Sequence, residues 1–458
     1  MVFLIRRLTG LLGLACLLTP PAFALDGVMS LQAVLIKNEE LPVDLPACLE
    51  LVRTQNLAVG EQRAAEQVAH GLMRQAQVAF LPSLGASYNQ NRFQGAVQVF
   101  GGNTVNIYRT SYIPLADVSL EIRPSQVFTL LAARRDWSAR RLRLQGTLQQ
   151  ELARAAEDYY AFLESQAQLQ NDRQALLEAE EQVRRNQARY NTGVGTKLDL
   201  VQAETQRARV ERALIATENT VAQREQALLA RLNLNPSIHL TPLDATPLKQ
   251  DLVSPGLTSE DLLTQARAEH PVLKQLLEER NALRSAQQAA RWDGLPTVTL
   301  RASISGVGPG VQDLNLTRFG AITAEMNLLE NMGGAVYYRQ KTAGALADQK
   351  EMERLSRIRQ LESQTIEALM DSRTFAATIQ TAQKEVALAE EAFRLADGRY
   401  QAGVEPYLAV ITAQTALNTA RNGLARAIYN YNRAQVRLVE TLGVVSPQTL
   451  LKGWTPHG

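Results

Sequence analysis

From Ser125 to Tyr190 the chain has no proline and one glycine, Gly146. Leu144, Leu148, Leu152, Ala155, Tyr159 and Phe162 step through this run by three and four, the spacing of a single apolar stripe on a helix. As one helix it is roughly 100 Å long at 1.5 Å per residue. Gly333 to Tyr400 sets out a second helix of similar reach. Helices this long need lateral partners along their whole extent. Returning segments supply them. Leu417, Leu424, Tyr431 and Leu438 recur every seven residues, and so do Ala420, Ala427, Ala434 and Thr441. A heptad with small residues in one seam suits closely packed antiparallel helices. A coiled-coil rod accounts for these stripes in full, so alone they carry no activity.

The long helices belong to a duplication. "RYNTGVGTKLDL" at 189–200 and "RYQAGVEPYLAV" at 399–410 are nearly the same turn, 210 residues apart. At that offset Leu198, Ala203, Thr205, Leu214, Leu228 and Leu232 fall on Leu408, Ala413, Thr415, Leu424, Leu438 and Leu442. "FLPSLGAS" at 80–87 has its counterpart in "GLPTVTLR" at 294–301. Each half therefore reads as helix, two strands, long helix, tight turn and return helix. The first unit is expected over 25–235, with strands about 83–93 and 106–122, long helix about 125–190, turn 191–196 and return helix 197–233. The second is expected over 259–443, with strands about 296–305 and 318–328, long helix about 333–400, turn 401–405 and return helix 406–442. A proline-rich linker at 236–258 joins them, and 444–458 forms a tail. The turns carry helix punctuation. Gly193 and Gly403 suit the left-handed position that ends a helix, and Thr196 with Asp199 reads as a capping box. Pro406 fits the first turn of its own helix.

Before each long helix the period changes from 3.6 to two. In "TVTLRASIS", Val298, Leu300, Ala302 and Ile304 share one face, and Thr297, Thr299, Arg301, Ser303 and Ser305 the other. "YIPLADVSLEI" sets Ala116, Val118, Leu120 and Ile122 against Asp117, Ser119 and Glu121. A third run opposes Ile322, Ala324, Met326 and Leu328 to Ala321, Thr323, Glu325 and Asn327, and "SLGASYNQN" is a weaker fourth. Such alternation fits a half-buried sheet in a soluble domain or a strand crossing a bilayer.

The start of the chain bears on that choice. Arg6 and Arg7 precede an apolar run from Leu8 to Leu18, and Ala22-Phe23-Ala24 supplies a small-x-small cleavage site. This is the pattern of a secretory signal peptide over 1–24. Gly13 stands where lipidation of Cys16 would call for leucine, so the mature chain is expected to begin unlipidated at Leu25. Cleavage removes two of the 48 basic residues and leaves 46 against 46 acidic ones. A neutral chain gives no reason to expect nucleic acid. Cys48 then stands alone, which excludes an intrachain disulfide. After the signal no stretch offers the about 18 apolar residues of a spanning helix. An exported chain with strands of about ten residues fits a tilted membrane strand. Lipid-facing sheets must close, and four strands are too few, since bacterial barrels begin at about eight. Several copies would therefore share one barrel. On that reading Asp117, Glu121, Thr297, Thr299, Arg301 and Ser303 line the lumen.

His70, His239, His270 and His457 have no ligand spacing to one another or to Cys48, and no nucleophile elbow, phosphate loop or paired-histidine motif occurs. No catalytic residue, metal or cofactor is expected. Three readings stand: an export channel, an exported coiled-coil scaffold without channel activity, and a soluble periplasmic binding protein. The paired alternating strands favour the first.

The duplicated plan, the two turns, the "FLPSL" and "GLPTV" approaches to the strands and the Gly-Gly step in "LNLLENMGGAVYYRQ" together resemble the TolC-like outer membrane efflux protein family. The resemblance covers essentially the whole mature chain. It implies a mainly α fold with a membrane β-barrel contribution. Three protomers would give four strands each to a 12-stranded barrel above a long α-helical periplasmic tunnel, the linker lying at its equator. It further implies outer-membrane lipid around the barrel, a periplasmic adaptor at the helix tips and, through the adaptor, an inner-membrane transporter. The docking turns would be Gly193, Val194, Gly195, Thr196, Gly403, Val404 and Glu405. Tyr190, Asp199, Tyr400, Ala409 and Thr412 would line the tunnel entrance. Two features depart from the family. "LEIRPSQVFTLL" lacks the Gly-Gly step, and Ala409 and Thr412 stand where some relatives carry acids, leaving Asp199 as the one carboxylate of the set. Drugs, metal ions and secreted polypeptides would use similar tunnels.

Overall fold

The computed structural model describes residues 40–98, 101, 102, 104–243, 248–254, 256–310, 312–326 and 334–455. The signal-peptide reading over 1–24 with Cys16, the expected start at Leu25, and Asn327, Leu328, Gly333 and His457 lie outside the described residues. The chain runs β1 (Glu40–Val43), α1 (Leu45–Gln55), α2 (Leu57–Val78), β2 (Ser83–Gln98), β3 (Thr104–Ile122), α3 (Ser125–Asn191) and α4 (Lys197–Leu232). It continues with β4 (His239–Pro242), α5 (Ser259–Glu269), α6 (Pro271–Trp292), β5 (Thr297–Val307), β6 (Asn315–Glu325), α7 (Ala335–Gln401), α8 (Tyr407–Thr441) and α9 (Pro447–Lys452).

α3 and α7 are each 67 residues long, roughly 100 Å. Each is covered in two stages. Near the sheet, α3 packs on α2 and α6, and α6 in turn on α7; farther along, α4 returns beside α3 and α8 beside α7. α8 also packs on α3, so the two hairpins form one unit. The apolar stripes mark these seams: Leu152, Tyr159 and Phe162 of α3, and Leu417, Tyr431, Leu438, Ala420, Ala427 and Ala434 of α8, are buried. The small side chains allow the close approach that the seven-residue spacing implies. The two long helices start differently. Gly334, at φ 79°, precedes α7, whereas Pro124 occupies the cap position of α3 and the Arg123 N–H donates to Gln126 Oε1 at 3.2 Å. The fixed φ of proline serves where the first half lacks the glycine pair.

The largest apolar core lies at mid-height, where Leu49 and Val52 of α1, Phe162 of α3, Leu228 and Leu232 of α4, Val436 of α8 and Leu442 just past its end meet. Over 248–253 the linker is fastened here by side chains of α8, beside one parallel bridge from Val253 to Trp454. Asn432 Oδ1 accepts from the Gln250 N–H at 2.9 Å, and its Nδ2 donates to the Leu248 carbonyl at 2.8 Å. Gln435 Oε1 accepts from the N–H groups of Leu252 and Val253 at 3.0 and 2.8 Å. The linker's β4 pairs in parallel with β1, which ties the two ends of the first unit together.

β2, β3, β5 and β6 form one antiparallel sheet in that order, leaving β2 and β6 as edges. Its register aligns Leu120, Leu300 and Ile322 in one row, and Glu121, Thr299 and Thr323 in the next on the opposite face.

Candidate functional site

The site has two parts at opposite ends of the long helices, the sheet wall and the helix turns. On the sheet, Asp117, Glu121, Thr297, Thr299, Arg301 and Ser303 all lie on one face. Arg301 pairs with Asp117 across neighbouring strands at 3.4 Å, and Asp117 lies opposite Ser303. Glu121 pairs with Arg123 at 2.6 Å. Phe319 and Ala321 share this face, so it is not uniformly polar. The opposite face carries Leu84, Val118, Leu300, Ile304 and Ile322, all exposed, whereas on the first face Asp117 and Ser303 are half-buried and Arg301 and Phe319 are exposed. A sheet built for water would do the reverse, burying its apolar row against a core. One face thus carries an exposed apolar row and the other a partly covered polar one, the two-sided pattern that the wall of a membrane barrel requires. No helix among the described residues is long and apolar enough to cross a membrane.

At the far end the two turns sit side by side. Gly193 and Gly403 adopt φ of 75° and 71°, the left-handed conformation that closes a helix, and each donates its N–H to Tyr190 or Tyr400, respectively. Val194 and Val404 project into solvent, 70% and 66% exposed. Thr196 caps α4 in a full capping box: the Asp199 N–H donates to Thr196 Oγ1 at 3.1 Å, and Asp199 Oδ2 accepts from the Thr196 N–H at 3.3 Å. Pro406 is the residue before α8 with extended backbone, one position earlier than the first-turn place its spacing suggested. Glu405 pairs with Arg399 of its own hairpin at 2.9 Å. Gly195 has an intrachain role. A Cβ there would lie 2.9 Å from the Arg189 Cβ and 3.2 Å from the Arg189 carbonyl carbon, so the chain's own backbone makes the close approach.

The five entrance residues do not form one ring within the protomer. Tyr190 is 41% exposed, but its counterpart Tyr400 is only 6% exposed. The Tyr400 hydroxyl donates to Asn186, and the ring lies under the Arg189 guanidinium at 4.9 Å. Burial and the nearby Asp199 charge push the Tyr400 pKa up. Asp199 is held in its capping box. Ala409 is half-buried, and exposed Thr412 donates back to the Leu408 carbonyl at 2.9 Å. The electrostatics are carried by residues the sequence reading did not single out. Asp397 of α7 accepts from Arg185 at 3.3 Å and from Gln182 at 3.2 Å, and Arg189 Nη1 donates to the Gln401 carbonyl at 3.4 Å. Gln182, Arg185 and Arg189 share one face of α3, a polar stripe that helical spacing alone makes visible. Of the histidines, His70 lies tilted against Trp137 at 5.1 Å, His239 lies 3.6 Å from Glu225 and His270 caps α6.

A four-stranded sheet with an exposed apolar face, continued by paired hairpins of 100 Å helices, is the architecture of a membrane channel-tunnel subunit. A model of the outer membrane efflux protein family matches residues 48–234 and 262–444, and the chain belongs to that family, one of transport channels rather than enzymes. It is similar to the alkaline protease secretion protein AprF of Pseudomonas aeruginosa, 26% identical over 323 residues, which cover 67% of this chain and 64% of AprF. The match thus spans less than two thirds of that relative's length. Two solved structures share the fold. The CmeC outer membrane channel of Campylobacter jejuni has a TM-score of 0.77 at 15% identity, over 87% of this chain and 85% of that one. The outer membrane protein VceC of Vibrio cholerae has a TM-score of 0.72 at 18% identity, over 87% of this chain and 96% of that one.

Proposed function

We propose that three copies of this chain close a 12-stranded barrel in the outer membrane and a helical tunnel beneath it. The assembly passes cargo from a periplasmic adaptor and an inner-membrane transporter to the outside. The observation that carries this reading is the sheet: a whole row of its apolar side chains is exposed, and the outer edges of β2 and β6 have no partner strand among the described residues. Open edges are intolerable in hydrocarbon, so further copies must supply the missing strands. Lumen selection then falls to wall groups such as the Arg301–Asp117 pair. With Ala409 and Thr412 neutral, Asp199 is the one carboxylate among the five entrance residues, and its Oδ2 is held in the capping box, so each protomer brings a single acidic group to this end, which argues against a dense cation-binding ring. The relative's name, a secretion protein for a protease, favours a polypeptide as cargo.

The exposed turns are the adaptor-docking surface on this reading, six per trimer. Gly195→Arg is a poor probe, because its Cβ already collides with Arg189. Val194→Asp and Val404→Asp leave the turn backbone intact. Each is expected to leave copy number unchanged while abolishing adaptor cross-linking and export. Normal export by both variants would end the docking role.

A further inference from the structure

The outward face of the sheet carries a charged group that the channel reading leaves unused. Arg318 stands on the apolar face of β6, opposite Ile304 and in the row that continues to Ala116 and Ala86. Among the described residues it has no hydrogen-bond or ion-pair partner. The neighbouring row on this face pairs Ala302 with Gly320, and the row beyond pairs Leu300 with Ile322. Two nearly absent side chains therefore lie between two large pairs. They leave a furrow made of hollows of about 530 and 490 Å³, which share Val118, Ala302 and Gly320. A Cβ added at Gly320 would meet nothing within 4 Å.

We propose that this furrow is a lipid site: an acyl chain of an anionic outer-leaflet lipid lies on the Ala302–Gly320 floor, and Arg318 pairs with its headgroup phosphate. This rests on the outer-membrane reading above. An arginine facing hydrocarbon is costly unless it reaches an anion or water. Arg318 is three residues from the outer end of β6, so its side chain extends to headgroup level while its stem stays among apolar neighbours. That level is marked on the same face. Tyr88 lies one row outward, its ring 6.4 Å from that of Tyr112, and Arg92 lies 4.8 Å from the Tyr108 ring. Tyrosines of this kind sit at the boundary between hydrocarbon and headgroups. A guanidinium matches phosphate with two parallel hydrogen bonds, and an acyl chain matches an open apolar trough. Closure of the barrel consumes the backbone edge of β6, not its outward face, so the furrow stays open in the assembly.

The test is native mass spectrometry of the full-length protein, extracted from outer membranes in mild detergent and titrated with diphosphoryl lipid A. Wild type should bind it, and Arg318→Gln should bind it about tenfold more weakly. Gly320→Leu, which fills the floor, should lose both this lipid and its dephosphorylated form. Arg109→Gln, on the opposite face by register, should bind as wild type does. Unchanged binding in Arg318→Gln and Gly320→Leu overturns the proposal, and so does displacement of the lipid by millimolar inorganic phosphate. Copy number and membrane fractionation of the same samples separate the two claims. An outer-membrane oligomer whose lipid binding ignores the furrow overturns this inference alone, whereas a chain recovered outside membranes overturns the channel reading as well.

Discussion

Replacing Gln435 by leucine should release the linker from the middle of the helical wall. Gln435 is buried, and its Oε1 accepts the N–H groups of Leu252 and Val253 at 3.0 and 2.8 Å. Its Nε2 donates to Ser372 Oγ at 2.7 Å and to the Tyr431 hydroxyl at 3.2 Å. Leucine keeps the volume but leaves two backbone donors at Leu252 and Val253, both themselves buried, with no acceptor. Each orphaned buried donor costs roughly 1–3 kcal/mol, so the clasp weakens by roughly 2–6 kcal/mol. Even the lower figure is about a thirtyfold rise in the open population. Hydrogen exchange reads this directly as faster exchange of the segment 248–254, while α3 and α7 keep their protection. Glu in place of Gln435 retains the acceptor, and Ser372 and Tyr431 can donate to it, so Gln435→Glu should lose less than Gln435→Leu. Wild-type exchange in the leucine variant would refute the reasoning, as would equal loss in both.

Leu300→Arg places a charge on the outward row between Leu120 and Ile322; at about 2–4 kcal/mol per protomer near mid-bilayer, outer-membrane yield should fall sharply. Thr299→Arg, on the face proposed to line the lumen, should insert normally, and equal yields for the two would refute the assignment of faces. Burial, with the Arg357 charge, holds the His270 pKa down at about 4 against an ordinary 6.5. The unfolded chain therefore takes up this proton first: stability is full above pH 6.5 and is lost as pH falls towards 4. At pH 5 the loss is about 2 kcal/mol per protomer. His270→Asn, which keeps a capping oxygen for the Val272 N–H, should remove that part of the pH dependence in thermal melts, and an unchanged profile would show that His270 is not its source.

The long helices are legible because their signals are local and repeated. Nothing in 125–190 breaks a helix, and the Leu152–Tyr159–Phe162 stripe has to be covered. The strands are legible because alternation survives in either solvent, although the pattern at 297–305 does not say which face meets water; the exposed Leu300 and Ile304 are what favour lipid on their side. The outer half of the first hairpin is less readable. "FQGAVQ" has no clean alternation, yet β2 runs on to Gln98. The mid-height clasp leaves no sequence trace, since Asn432 and Gln435 act on backbone more than 180 residues away and a side-chain amide has no period. The turns show the same limit. The Thr196–Asp199 box spans three residues and can be read directly, but the bond from Tyr400 to Asn186 joins hairpins 214 residues apart. That contact splits two tyrosines that occupy equivalent places in the duplication into one exposed and one buried.

The number of chains in the membrane form tests the central claim most directly. Mass photometry of the full-length protein, extracted from outer membranes in mild detergent, should show one species of three copies, because four strands per chain reach a closed barrel only in company. A stable monomer, or a chain absent from the membrane fraction, would contradict the account.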